Sequence, residues 1–169
     1  MKDSIDALLG EYTTSESDRR STIIETLSDS AEERVHSLFL NALCDKSEEC
    51  CVRVAVLKAV PFQDYTFDFR KRFSDTISTI LNDNGDDVLV RQYAALAMRT
   101  FVGVDGVLDL LESLVCNSQE DIDVRHNALS SIERNVKRSE CQSALRRLVA
   151  IPELGPSADR TLQQVSKSS

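Results

Sequence analysis

Five cysteines and two histidines are the residues of this chain best suited to chemistry: Cys44, Cys50, Cys51, Cys116 and Cys141, with His36 and His126. A zinc centre needs Cys and His ligands at short, paired spacings. No Cys-x-x-Cys pair is present, and two histidines are too few for paired His-Glu iron ligands. Adjacent Cys50 and Cys51 read as one helix-surface residue and one buried small residue, not as a redox pair. No Gly-x-Gly-x-x-Gly or Walker-type loop occurs to cradle a phosphate, and no Ser-His-acid or Cys-His set stands out for nucleophilic attack. The acid pairs Glu48-Glu49 and Asp86-Asp87 read as helix-start electrostatics. The basic run Arg134, Lys137, Arg138, Arg146 and Arg147 is placed to touch phosphate, and a solvated helix end is the plainer reading. His126 reads either as a partner contact or as a solvated side chain. The chain is therefore expected not to be an enzyme, and to need no metal or cofactor.

The elements that position these residues follow from composition and period. At 169 residues, with 41% hydrophobic and 28% charged residues, the chain can bury a core of its own. It is expected to be a single domain over 1–169. Only 5 Gly and 3 Pro occur, which disfavours hairpin-rich β folds. The net charge is −8 and is uneven: residues 1–51 carry 12 acids and 5 bases, residues 124–169 carry 4 acids and 8 bases. A negative body repels a phosphate backbone, so generic nucleic-acid binding is disfavoured. It would steer a basic protein partner, or serve solubility alone. An odd number of cysteines fits reduced thiols and a cytoplasmic location. The opening MKDSIDALLGEY lacks the apolar run of a signal peptide. No stretch approaches the ~20 apolar residues that span a bilayer.

One pattern recurs. Asp87-x-x-Val90-Arg91-x-x-Ala94-x-x-Ala97-Met98 is echoed by Glu49-x-x-Val52-Arg53-x-x-Val56-x-x-Ala59-Val60. It returns as Asp121-x-x-Val124-Arg125-x-x-Ala128-x-x-Ser131-Ile132, and as Glu16-x-x-Arg19-Arg20-x-x-Ile23-x-x-Thr26-Leu27. The four arginines stand 33, 38 and 34 residues apart, the period of a stacked helical repeat. Ala158, Leu162 and Val165 read as a worn fifth copy. Each copy has an acid in its first turn, an Arg four residues later placed to pair with it on the helix surface, and an apolar stripe at helical spacing. Polar turns, CDKSE, NDNGD and CNSQE, precede the later copies. A first helix before each copy is expected over 4–11, 31–44, 65–81, 105–116 and 139–150. The predicted fold is all-α: an α-α superhelix, or short α-solenoid, of about five helix pairs.

The copies resemble HEAT repeats, in particular the short ones of phycobilisome lyase-like proteins. The residues that carry the resemblance are Asp87, Val90, Arg91, Ala94 and Ala97, with Asp121, Val124, Arg125 and Ala128. The family's Pro before the second helix and its closing Gly are missing. The resemblance implies the superhelix, and it implies enzymatic alternatives: a bilin lyase-like subunit, which expects a tetrapyrrole and a second subunit, or a base-excision enzyme, which expects a basic concave face.

In such an array the second helices line one face. Counting ~100° per residue from the buried valine, the residues that point away are Cys50, Val54, Lys58 and Pro61 in one copy. In the next two copies they are Val88, Gln92, Leu96 and Arg99, then Ile122, His126, Ser130 and Glu133. Several are apolar where water would predict polar residues, the pattern of a protein-binding groove or of a strip covered by neighbours. The longest repeat also holds FQDYTFDFRKRF, with Phe62, Tyr65, Phe67, Phe69 and Phe73. Aromatics beside Arg are typical binding anchors; the alternative is a longer helix with Phe67 and Phe73 in the core. RNA stacking is diluted by Asp64, Asp68 and Asp75. The expected function is non-enzymatic protein binding by an adaptor or scaffold, the partner being a basic protein. The expected contact residues are Cys50, Val54, Lys58, Val88, Gln92, Leu96, Arg99, Ile122 and His126, with Phe62, Tyr65, Phe67 and Phe69. A sharper alternative is a bacterial immunity protein that neutralises a basic toxin or nuclease.

Overall fold

The computed structural model describes residues 2–63 and 65–168, so Asp64 lies outside the described residues. The described chain is all-α, without a strand. Its ten α-helices are α1 (Lys2–Tyr12), α2 (Ser17–Thr26), α3 (Glu33–Cys44), α4 (Cys50–Ala59), α5 (Phe67–Asn82), α6 (Val88–Ala97), α7 (Val107–Cys116), α8 (Ile122–Glu133), α9 (Ser139–Leu148) and α10 (Gly155–Ser168). Their order is that of five helix pairs in an α-solenoid. Short 3-10 turns, Val60–Phe62 and Met98–Thr100, extend α4 and α6. Pro61 falls inside the first of these turns, where its missing N–H costs little.

The chain divides into two compact units, residues 1–90 and 91–169, and the division falls inside α6. In the first unit α2 packs on α4, and α3 packs on both α4 and α5. In the second, α7 packs on α8 and α9, and α10 packs on α9 and α8. The recurring stripe forms the contacts. Val52, Val56, Ala59 and Val60 are buried, as are Val90, Ala94, Ala97 and Met98, and Val124, Ala128, Ser131 and Ile132. In the first copy only Ile23 and Leu27 of the stripe are buried; Arg19 and Thr26 are exposed. In the worn last copy Ala158 is buried and Leu162 and Val165 are half-buried.

The arginine of the repeat does not lie on the helix surface. Arg53, Arg91 and Arg125 are each about 5% exposed. Their partners stand a repeat further along the chain, not four residues back. Arg53 forks onto Asp86 at 2.6 and 2.8 Å, and Arg91 forks onto Glu120 at 2.8 and 2.5 Å. Arg20 meets Glu48 at 2.9 Å, and Arg125 meets Glu153 at 3.4 Å. Arg53 also reaches the Leu43 carbonyl, and Arg125 the Val115 carbonyl, at the ends of α3 and α7. In the copies that begin at Asp87 and Asp121 the expected local pairing fails because the acid is already engaged. Asp87 accepts the Leu89 and Val90 N–H groups, and Asp121 those of Asp123 and Val124, as N-caps.

Each acid pair thus divides its labour. The first acid takes the arginine of the previous repeat and the N–H of the residue after it: Glu48 to Glu49, Asp86 to Asp87, Glu120 to Asp121. The second, where it is Asp87 or Asp121, caps the next helix with its side chain; Glu49 stands at the N-cap position without such a bond. Arg53 holds the Asp86 carboxyl below the ordinary carboxylate range, and Asp86 raises the proton affinity of Arg53 in turn.

Candidate partner-binding surface

The aromatic segment of the first unit splits in two. Thr66 caps α5 by accepting the Phe69 N–H. From there Phe69 and Phe73 turn inward and are buried. Together with Tyr65 they surround the His36 ring, at centroid distances of 5.1, 6.3 and 5.1 Å respectively. Tyr65 donates to the Val60 carbonyl, and burial raises its phenol well above the usual range. The Gln63 amide donates to the Ser28 carbonyl, which leaves its oxygen to accept from His36 Nε2 at 2.8 Å. The linker after α4 is therefore pinned from inside. Sequence assigns His36 no role, because a histidine on a helix carries no sign of what surrounds it.

Phe62 and Phe67 go the other way. They are 68% and 86% exposed, the largest exposed apolar side chains among the described residues. Phe62 lines a small hollow of about 160 Å³ with Glu25, Ser28, Ala55, Lys58 and Ala59, on the faces of α2 and α4. Of the residues expected on this face, Lys58 is exposed and Cys50 half-buried. Val54 is 6% exposed and Phe69 7%, so neither offers a contact surface. Val88 and Leu89, at the start of α6, are 47% and 44% exposed.

In the second unit Ile122 is 43% exposed and His126 exposed. Gln92 and Leu96 are half-buried and serve the packing of α6 on α8. The Gln92 amide donates to Asp121, its carbonyl accepts from Asn127, and the Leu96 carbonyl accepts from Ser131. Arg99 is half-buried. The structure thus leaves Phe62, Phe67, Lys58, Val88, Ile122 and His126 open, and takes Val54, Phe69 and most of Tyr65, Gln92 and Leu96 into the packing.

No group of three or more His, Cys, Asp or Glu side chains that could hold a metal exists among the described residues. All five cysteines are free thiols; Cys44, Cys51 and Cys116 are exposed and Cys141 buried. Burial, with a hydrogen bond to Asp87, pushes the Cys50 thiol up to about 11. A further hollow of about 260 Å³ beside α3 and α5 contains the Lys46–Asp83 and Arg53–Asp86 pairs, and its remaining carboxylate, Asp75, pairs with Lys71. No helix of the described residues is long and apolar enough to cross a membrane.

Compared with known proteins, the chain matches no family model, no curated protein and no solved structure.

Proposed function

We propose that this chain is a non-enzymatic protein-binding module, an adaptor of HEAT-like repeats, and that its partner docks on the first unit over Phe62, Phe67 and the hollow between α2 and α4. The observation that carries this reading is the division of one short segment. Phe69 and Phe73 are buried while Phe62 and Phe67, a few residues away, stand 68% and 86% exposed. Each such ring gains roughly 1.5–3 kcal/mol on full burial, and exposed aromatics are the side chains that anchor interfaces. Residues 1–90 hold 18 acids and 10 bases, so a basic partner is attracted before contact. The repeat arginine, reaching an acid one repeat on, supports the repeat reading. The finer role of an immunity protein against a basic toxin rests on that acidity.

A photo-crosslinking residue placed at position 67 tests the reading in a lysate of the native source. A single prominent adduct is expected there, and none from the same probe at Ser143, an exposed residue of α9. Equal labelling from both positions would overturn the assignment of the face.

A further inference from the structure

The second unit gathers cations that form no ion pair. Arg99 follows α6, and Arg134, Lys137 and Arg138 follow α8; none of the four has an ion-pair partner among the described residues, although eleven ion pairs form elsewhere. The backbone holds them together. Asn135 donates to the Arg99 carbonyl at 2.9 Å and to the Ser131 carbonyl, which fixes the end of α8 against the turn that carries Arg99. Arg138 lies over Gly103, where a Cβ would come within 3.0 Å of its guanidinium. Arg134 and Lys137 also line a hollow of about 630 Å³ with Ser130, Glu133, Thr161 and Gln164. The one carboxylate in that hollow, Glu133, accepts from the Thr161 hydroxyl and bridges to neither cation.

Burial and the nearby charge of Arg134 both lower the proton affinity of Arg99. Like charges held close, in a chain of net charge −8, ask for an anion that the chain does not supply. Planar guanidinium forks match the oxygens of a phosphate, and three or four cations exceed what one carboxylate offsets. The hollow is of the size that holds a small organic ligand. We propose that this cluster is an oxyanion site for a phosphate-class ligand, free phosphate or the phosphate monoester of a small molecule, gripped by Arg134 and Lys137, the two cations that line the hollow. The site is independent of the protein-binding face proposed for the first unit.

The test is calorimetric titration of the full chain with inorganic phosphate and with phenyl phosphate, at ionic strength held constant with chloride. Saturable binding is expected, weakened roughly ten-fold in Arg134→Gln and in Lys137→Gln. It is unchanged in Arg19→Gln, an exposed arginine of α2 that does not line the hollow. Tighter binding of phenyl phosphate assigns the hollow to the organic part of a monoester; equal binding assigns the site to phosphate itself. Circular dichroism of each variant separates loss of binding from loss of fold. No saturable heat with either probe, or the same affinity in all four proteins, overturns the proposal.

Discussion

Removing one member of a buried ion pair strands the other charge, and this cost of about 3–5 kcal/mol exceeds that of losing an exposed pair. Arg53→Met and Arg91→Met are therefore expected to destabilise by about that amount, because Asp86 and Glu120 are as buried as their partners. Arg19→Ala, which breaks an exposed pair with Glu11, is expected to cost far less. Urea unfolding of the three variants checks the contrast. The same pair sets a pH dependence. The Asp86 carboxyl is depressed in the folded state, so its contribution is complete above its unfolded value, about 3.9, and is lost as pH falls through the lower folded value. Thermal midpoints taken from pH 7 downward should fall below about pH 4, and the paired substitution Arg53→Met with Asp86→Asn should remove part of that fall. Thiol reactivity divides by exposure. At pH 8, Cys44, Cys51 and Cys116 are expected to alkylate first, while Cys50, protonated at that pH, and buried Cys141 lag until the chain unfolds. Mass spectrometry of timed alkylation reads the order.

At the scale of the element, α10 begins where only glycine fits. A Cβ on Gly155 would lie 2.0 Å from the Val149 carbonyl oxygen, and the Gly155 N–H already donates to Ile151. Gly155→Ala must displace the start of α10, at a cost of roughly 1–3 kcal/mol. Gly10→Ala in α1 meets nothing within 4 Å and should be neutral or stabilising by roughly 0.5–1 kcal/mol. Hydrogen exchange in α10 and α1 separates the two. The helices themselves were legible: the spacing that predicts 31–44, 105–116 and 139–150 falls within two residues of α3 and α7, and within two of α9. That legibility comes from the apolar stripe, which reports burial directly. The arginine pairing was not legible, because an acid four residues back and an acid one repeat on satisfy the same spacing rule. Only the capping bonds of Asp87 and Asp121 decide between them. The aromatic segment was half legible. Its composition marks a surface feature, but its spacing does not say that Phe62 and Phe67 point out while Phe69 and Phe73 surround His36. Val54 misled because a count of angles on one helix takes no account of what packs against that helix, and the valine is buried.

At the scale of the whole molecule, the two compact units differ in charge. Residues 1–90 hold 18 acids and 10 bases, residues 91–169 hold 10 of each. The excess acid and the two exposed phenylalanines fall in the same unit, which is why a basic partner with an apolar patch is the expected ligand of that unit. The measurement that tests this most directly is quantitative affinity capture from the native source with the wild-type chain and the Phe62→Ala, Phe67→Ala double variant, each at low and at high salt. The account predicts one basic protein recovered near one-to-one with the wild-type chain, reduced at high salt, and lost from a double variant that keeps its helical circular dichroism. A partner retained equally by both chains, or binding indifferent to salt, would contradict it.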